Sequence, residues 1–155
     1  MKRNIIIIAG VLLMTVVSSC NKTKVTSERF IKAGEWKVTE LSVDGVNEDE
    51  LPKWEIEDCD IYEESCFGEW KNEEGGHAEF IWQFSEKANT FEISHQASDE
   101  HDHEGDHAAE EAAVQAYNFS GVYEVIEKSK TEMEFESTRT SGYSGSNVKI
   151  KIEKI

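Results

Sequence analysis

Hydrophobic and polar residues alternate with a period of two along most of the chain beyond residue 30. This alternation is typical of half-buried β-strands, whose successive side chains point to opposite faces of a sheet. The turn-forming segments between the runs are short, such as Asp44-Gly45 and Glu74-Gly75-Gly76, and they predict an antiparallel meander. The inward faces that the alternation defines are Phe80, Trp82 and Phe84; Phe91, Ile93 and His95; Tyr117, Phe119, Gly121, Tyr123 and Val125; Met133 and Phe135; and Val148, Ile150 and Ile152.

Two segments break the alternation. Residues 47–54 are acidic, contain the single proline, Pro52, and indicate one helical turn. Residues 106–115 predict a short helix, with Asp106 as N-cap and Glu110 and Glu111 favourably placed near its positive end. The expected fold is therefore all-β, with one or two short helical insertions.

The N-terminal segment has a different pattern. Lys2 and Arg3 precede an apolar or small run over residues 5–17, which is too short to cross a bilayer core of about 20 helical residues. This length and charge are typical of a signal peptide. The run ends at Val17-Ser18-Ser19-Cys20, which resembles the lipobox of bacterial lipoproteins and implies cleavage before Cys20 and lipid on its sulfur. A short membrane anchor or an ordinary secretory signal are the alternatives.

These features predict a signal peptide over residues 1–19, a lipid-anchored tether over 20–29 and a folded domain over 30–155. Asn21 rather than aspartate follows Cys20, which resembles the outer-membrane-directed pattern of lipoprotein sorting. The expected location is the bacterial cell envelope, as an outer membrane lipoprotein of unspecified face.

Charge narrows the choice of partners. The formal net charge of -16 becomes -18 when Lys2 and Arg3 are removed with the signal peptide. So negative a protein repels nucleic acid, and from net charge alone we expect it to repel anionic lipid headgroups, leaving the acyl chains as the membrane contact. Cations are the natural counterpart, although many of these carboxylates serve solubility only.

A meander of this size can remove its edges by closing into a barrel of about eight strands. Gly34-Glu35-Trp36 at the start of the first strand resembles the Gly-x-Trp signature of lipocalins and the wider calycin group. Together with the lipobox and the meander, it resembles the lipocalin-like lipoproteins of Bacteroidetes-type bacteria. The resemblance implies that Gly34 bends the chain into the barrel floor and that Trp36 closes that end. Lipocalins usually cover this tryptophan with an arginine of the last strand, where this chain has Lys149 and Lys151.

An eight-stranded barrel either fills itself with side chains or holds one small apolar ligand, and the sequence leaves both open. His95, which shares the face of Phe91 and Ile93, is either a satisfied core histidine or part of such a site. The candidate ligand-facing residues are Phe80, Trp82, Phe84, Phe91, Ile93, His95, Tyr117, Phe119 and Tyr123.

Cys59 and Cys66 are the two cysteines that remain if Cys20 carries lipid. An even pair in an exported domain predicts a disulfide, with free thiols or thiolate metal ligation as alternatives.

All five histidines lie between residues 77 and 107, and an insertion near residues 97–113 combines them with carboxylates. Imidazole and carboxylate groups are ligands for Zn²⁺ or Cu²⁺, and a loop can wrap such an ion. The candidate metal ligands are His101, His103, His107, Asp102 and Asp106. A solvated, disordered insertion is the alternative.

Residues 103–107 also match the His-Glu-x-x-His motif of zinc proteases. That motif requires a rigid helix, whereas Gly105 interrupts this copy and charged residues precede it. No other catalytic pattern is present, so we expect no enzyme activity. The expected function is a non-enzymatic binding module for a small apolar ligand or a protein partner, with metal buffering through the histidine loop or a purely structural role as alternatives. The only cofactors it suggests are Zn or Cu and the covalent lipid on Cys20.

Overall fold

A computed structural model describes residues 22–61, 65–95 and 107–155 of the chain. Over these residues the chain forms nine antiparallel strands, and β1 pairs with both β3 and β9. This double pairing closes eight strands into a barrel, and β2 adds a two-residue extension to β1. The strands are β1 (Glu35–Val43), β2 (Val46–Asn47), β3 (Lys53–Ile56), β4 (Cys66–Lys71), β5 (His77–Phe84), β6 (Thr90–His95), β7 (Gly121–Lys128), β8 (Glu132–Ser137) and β9 (Val148–Lys154).

The predicted all-β class and the closed antiparallel barrel are confirmed. The period-two alternation produces the core as expected, because every second side chain of a barrel strand points inward. In β5, for example, Ala78, Phe80, Trp82 and Phe84 are buried between exposed or half-buried neighbours. Burial in β9 likewise alternates through Val148, Ile150 and Ile152.

Two helices accompany the barrel in the part of the chain that the structure describes: α1 (residues 22–33) and α2 (His107–Asn118). Neither is long and apolar enough to cross a bilayer. Helix α1 occupies most of the stretch that the sequence assigns to a tether. Its buried face consists of Thr26, Ser27 and Phe30, whose spacing of one, three and four residues is helical.

Helix α2 extends three residues beyond the predicted end. Ala109, Ala112 and Ala116 form its buried face, and Tyr117 lies outside that face and is exposed. The assignment of Tyr117 to an inward strand face is therefore wrong, and β7 begins only at Gly121. The alternating pattern suggested too early a start for β7, because Tyr117 and Phe119 happen to continue the period of two of that strand.

The predicted helical turn over residues 47–54 is also wrong. The chain there forms β2 and then extends into β3, where Lys53, Trp54 and Glu55 pair with β1. The carbonyl of Pro52 accepts a hydrogen bond from the Val38 amide, at 3.1 Å. Strand pairing and burial of Trp54 thus outweigh the local turn propensity of this acidic segment.

The two helices lie at opposite ends of the barrel. We call the α1 end the one formed by α1 with residues 57–61, 85–89 and 129–131, which join strands on that side. We call the α2 end the one formed by α2 with residues 44–52, 72–76 and 138–147. At the α1 end, Thr23 of α1 donates to the carbonyl of Ser85, in the segment that joins β5 to β6, at 2.8 Å. At the α2 end, Gln115 of α2 donates to the carbonyl of Glu50, in the segment that precedes β3, at 3.2 Å.

Candidate functional site

Gly34 and Trp36, the residues of the barrel signature, lie where α1 joins β1. Gly34 has φ of 72°, a left-handed conformation that favours glycine, and its carbonyl accepts the Ile56 amide. Trp36 is fully buried and donates from Nε1 to the Phe30 carbonyl at 3.0 Å.

The ring that stacks on Trp36 is Phe30 of α1, with 5.5 Å between ring centroids and an interplanar angle of 25°. Lys149 and Lys151, two of the three lysines of the last strand, instead bind Glu134 on the outer surface. A helical phenylalanine therefore contacts the tryptophan that an arginine covers in the family that the sequence resembles.

Aromatic side chains occupy the barrel interior between the strands. Phe30 lies 4.8 Å from Trp82, and Phe91 lies 4.7 Å from Phe135, measured between ring centroids. Trp54 contacts both groups, at 6.5 Å from Phe30 and 6.1 Å from Phe91. These rings form one connected cluster across the barrel. Seven of the nine candidate ligand-facing residues are buried in the core, namely Phe80, Trp82, Phe84, Phe91, Ile93, Phe119 and Tyr123.

The protein's own groups satisfy most polar atoms of this interior. Trp82 Nε1 donates to the Phe67 carbonyl at 3.0 Å, and Trp70 Nε1 donates to Gln115 Oε1 at 2.8 Å. The Tyr123 hydroxyl donates to the Phe119 carbonyl, and burial raises its pKa. Trp54 Nε1 is a buried donor with no partner among the described residues.

The remaining two candidates lie away from the interior. Tyr117 is 56% exposed on α2. His95, at the end of β6, is half-buried, and its Nδ1 is 2.8 Å from the Glu79 carbonyl oxygen. The backbone amide of His95 donates to Ser120 Oγ, which in turn donates to the Ala116 carbonyl. His95 thus links β6 to the end of α2.

Helix α2 is fixed on the β4–β5 turn by a close backbone contact. Asn72 accepts the Gly76 amide on Oδ1 at 2.7 Å and donates from Nδ2 to the Ala108 carbonyl at 2.9 Å. A Cβ atom at Gly76 would lie 1.9 Å from the Ala108 carbonyl oxygen. Only glycine permits this approach, so the first turn of α2 is held in one position on the β4–β5 turn.

The predicted metal ligands fall mainly outside the described residues. This applies to His101, His103, Asp102 and Asp106, and Cys20 lies outside them too. His107 is exposed and is the first residue of α2. Within the described ranges, no three His, Cys, Asp or Glu side chains are grouped as metal ligands. The metal site therefore stays a prediction.

Carboxylates gather at the α2 end. The pKa of Glu50 is raised, chiefly by the charge of Glu111 on α2 and further by Glu74 and Glu73 of the β4–β5 turn. Val114 and Tyr117 lie one helical turn apart on the same helix and are 54% and 56% exposed. This end therefore combines negative charge with exposed apolar and aromatic surface.

The α1 end carries an open groove and the cysteine pair. The sulfurs of Cys59 and Cys66 lie at disulfide distance, 2.08 Å, with 5.6 Å between their Cα atoms, as the sequence predicts. The groove has a volume of about 580 Å³ and lies between α1 and the segment around Cys59. Its lining residues are Lys24, Glu28, Ile31, Asp58, Cys59, Asp60 and Ile61. The mixed charges of this lining do not define a particular ligand.

The sequence pattern did not identify Phe30 as a core residue of a helix. A signal was present, since Thr26 and Phe30 are separated by one helical turn, but the buried neighbours of Phe30 are polar and conceal the amphipathic pattern. The contact between α2 and Gly76 joins segments more than 30 residues apart, so a local sequence pattern cannot predict it.

No family model matches this sequence, and no curated protein matches it.

Proposed function

We propose that this protein is a lipid-anchored, lipocalin-like and non-enzymatic binding module of the bacterial envelope, whose partner is another protein. The closed eight-stranded barrel and the Gly34–Trp36 junction support the lipocalin-like assignment. The lipobox-like segment before Cys20 supports the anchor, and it does so from sequence alone.

The observation that carries the choice of a protein partner is the aromatic cluster inside the barrel. Trp54, Phe91 and Phe135 are fully or almost fully buried, and they contact one another in the space where a barrel of this size would hold a ligand. Phe30 closes the cluster toward the α1 end. A barrel filled by its own side chains leaves the outer surfaces for binding.

The α2 end is the surface that best suits a protein partner. Exposed tyrosine is enriched at protein interfaces, and the surrounding carboxylates favour a partner with a basic contact surface. Tyr117 and Val114 supply the apolar contact, while Glu50 and Glu111 supply the charge.

Titration with an apolar fluorescent fatty acid tests the filled interior. We expect no saturable binding to the wild-type protein, and we expect binding to Phe30→Ala, which opens space beside Trp82 and Trp36. Saturable binding to the wild type, with quenching of tryptophan fluorescence, would favour a small apolar ligand instead of a protein. The free Trp54 Nε1 would then be its polar contact.

Site-specific photocrosslinking in the native host tests the protein partner. A photoreactive residue in place of Tyr117 should give a discrete protein adduct, while one in place of the exposed Glu124 on β7 should not. Glu50→Gln with Glu111→Gln should weaken the adduct, because the partner is expected to be basic. Absence of an adduct from position 117, or the same adduct from both positions, contradicts the proposed face.

Reversible binding of Zn²⁺ or Cu²⁺ is a second candidate function. It is favoured by one observation: His101, His103 and His107 lie together with Asp102 and Asp106 within seven consecutive residues of the sequence.

A further inference from the structure

Four lysines lie together at the α1 end of this strongly acidic protein. Lys22 is in α1, Lys87 is in the turn between β5 and β6, and Lys128 and Lys130 are at the end of β7 and in the turn after it. Lys22, Lys87 and Lys130 are exposed, and Lys128 is half-buried.

Hydrogen bonds hold these segments against one another. The Lys128 ammonium donates to the Lys87 carbonyl at 3.2 Å and to the neighbouring Ala88 carbonyl. Thr23, next to Lys22, donates to the Ser85 carbonyl of the same turn. The segments that carry the four lysines are therefore adjacent at the α1 end, although they are distant in sequence.

This surface retains its positive charge. Lys71, Lys149 and Lys151 pair with carboxylates on the barrel wall, whereas none of the four lysines has a carboxylate within 4.0 Å among the side chains that the structure describes. Burial and the charge of Lys22 lower the pKa of Lys128, which places the two cations near each other. Of the carboxylates that line the groove, Asp58 and Asp60 belong to the disulfide segment, and Glu28 belongs to α1, where it pairs with Lys24.

We propose that Lys22, Lys87, Lys128 and Lys130 form a contact surface for the anionic phospholipid headgroups of the membrane that holds Cys20. This inference rests on the proposed lipid anchor. Lys22 follows Cys20 by two residues, so the chain can separate them by only roughly 7 Å, and the lysines cannot lie far from the bilayer. Stable membrane attachment commonly combines acyl chains with a basic patch.

Net charge alone predicts repulsion from such headgroups, but the distribution of charge reverses that expectation locally. Surface charges more than about 8 Å apart are largely screened at physiological ionic strength, so the carboxylates of the α2 end contribute little at the α1 end. The barrel is thus oriented with its α1 end on the bilayer and its α2 end toward the aqueous phase, where a protein partner can reach it.

Amine labelling of the full acylated protein on vesicles tests this surface. The protein is reconstituted on vesicles of phosphatidylcholine alone or with phosphatidylglycerol, and the labelled lysines are quantified by peptide mass spectrometry. We expect labelling of Lys22, Lys87 and Lys130 to fall about fivefold on the anionic vesicles and to recover in high salt. Lys53, exposed in β3 on the barrel wall, is the internal control and should be labelled equally on both.

A pair of variants separates charge from folding. Lys22→Gln with Lys87→Gln should abolish the protection of Lys130, while the matched pair Lys37→Gln with Lys53→Gln should leave it unchanged. Lys128 is kept in both because it holds the β5–β6 turn. Attachment to both vesicle types with equal labelling of the lysines overturns this inference and leaves the lipid anchor intact. Attachment to neither contradicts the anchor, and the inference with it.

Discussion

Phe30 connects the helix before the barrel to the barrel core. Its ring contacts Trp36, Trp54, Trp82, Phe84 and Phe91, at centroid distances from 4.8 to 6.5 Å. Its carbonyl accepts the Trp36 indole N–H. A single residue thus couples the packing of α1 to four strands. Truncation of so deeply buried a ring would remove all of these contacts at once.

Truncation of Phe30 should therefore be costly. We expect Phe30→Ala to lower the free energy of unfolding by about 3–5 kcal/mol through lost transfer energy and the cavity left behind. Equilibrium urea unfolding measures the change. Lys32→Ala, at an exposed position of the same helix, should change stability by less than about 0.5 kcal/mol. Equal effects of the two substitutions would mean that α1 does not pack into the barrel.

Glu134 forms ion pairs with two lysines on the barrel wall. Its carboxylate lies 2.8 Å from Lys149 Nζ and 3.3 Å from Lys151 Nζ, and its side chain is only 13% exposed. Hydrogen bonds from Lys149 and then Lys151 lower its pKa, against the opposing effect of burial. A carboxyl with a lowered folded-state pKa stabilises the fold above its unfolded pKa, and this contribution is lost as the pH falls through the folded value.

Replacing this carboxylate should consequently have a pH-dependent effect. We expect Glu134→Gln to cost about 1 kcal/mol at neutral pH, with the difference from wild type vanishing in acid below the lowered pKa. Urea unfolding across the acidic range checks this, beside Glu124→Gln at an exposed position of β7. A loss that is the same at every pH would show that Gln disturbs packing rather than charge.

At the scale of elements, the strands could be predicted from the sequence and the helices only in part. β5 and β9 have clean alternation because one face of each strand meets the core and the other meets water. Helix α1 escaped prediction because two of its inward positions, Thr26 and Ser27, are polar. The end of α2 was misplaced because alanines carry its buried face and Tyr117 suggested a strand. The assembly of the α1-end lysines depends on the closure of the barrel, which local pattern does not encode.

The Cys59–Cys66 disulfide should stabilise the fold by restricting the unfolded chain. Linking Cys59 to Cys66, seven positions apart, restricts the unfolded state by about 2.5 kcal/mol on the chain-entropy estimate. We expect Cys59→Ser with Cys66→Ser to lower stability by that order. Mass analysis after alkylation without reductant gives an independent check, since finding both thiols labelled in exported protein would remove the bridge.

The histidine-rich insertion should bind metal independently of the barrel. We expect calorimetry to detect reversible Zn²⁺ binding of modest affinity that weakens as the pH falls through the ordinary histidine pKa of about 6.5, because only neutral imidazole binds. A protein lacking residues 98–107 is the control, since His77 and His95 remain in it. Equal heats from both proteins, or none from either, would contradict the metal hypothesis.

At the scale of the whole molecule, the two ends of the barrel have different chemistry. The α1 end follows Cys20 and carries Lys22, Lys87, Lys128 and Lys130, while the α2 end carries Glu50, Glu111 and exposed Tyr117. This polarity suits a module held on a membrane at one end and bound by a protein at the other.

The proposed anchor depends on Cys20, which lies outside the described residues. We expect Cys20→Ala to release the protein from membranes into the soluble fraction, because the acyl chains supply most of its attachment. Fractionation of the host, with the mass of the wild-type chain measured in parallel, checks this. A Cys20→Ala protein that still sediments, together with a wild-type chain at its precursor mass, would contradict the lipoprotein assignment.

Native mass spectrometry decides whether the barrel is filled by its own aromatic side chains and binds from outside. The protein is extracted in mild detergent from its own host and measured intact. We expect the mass of the chain from Cys20 with its acyl chains and one disulfide, and no additional apolar molecule. A stoichiometric small ligand that leaves only when the protein unfolds would contradict it.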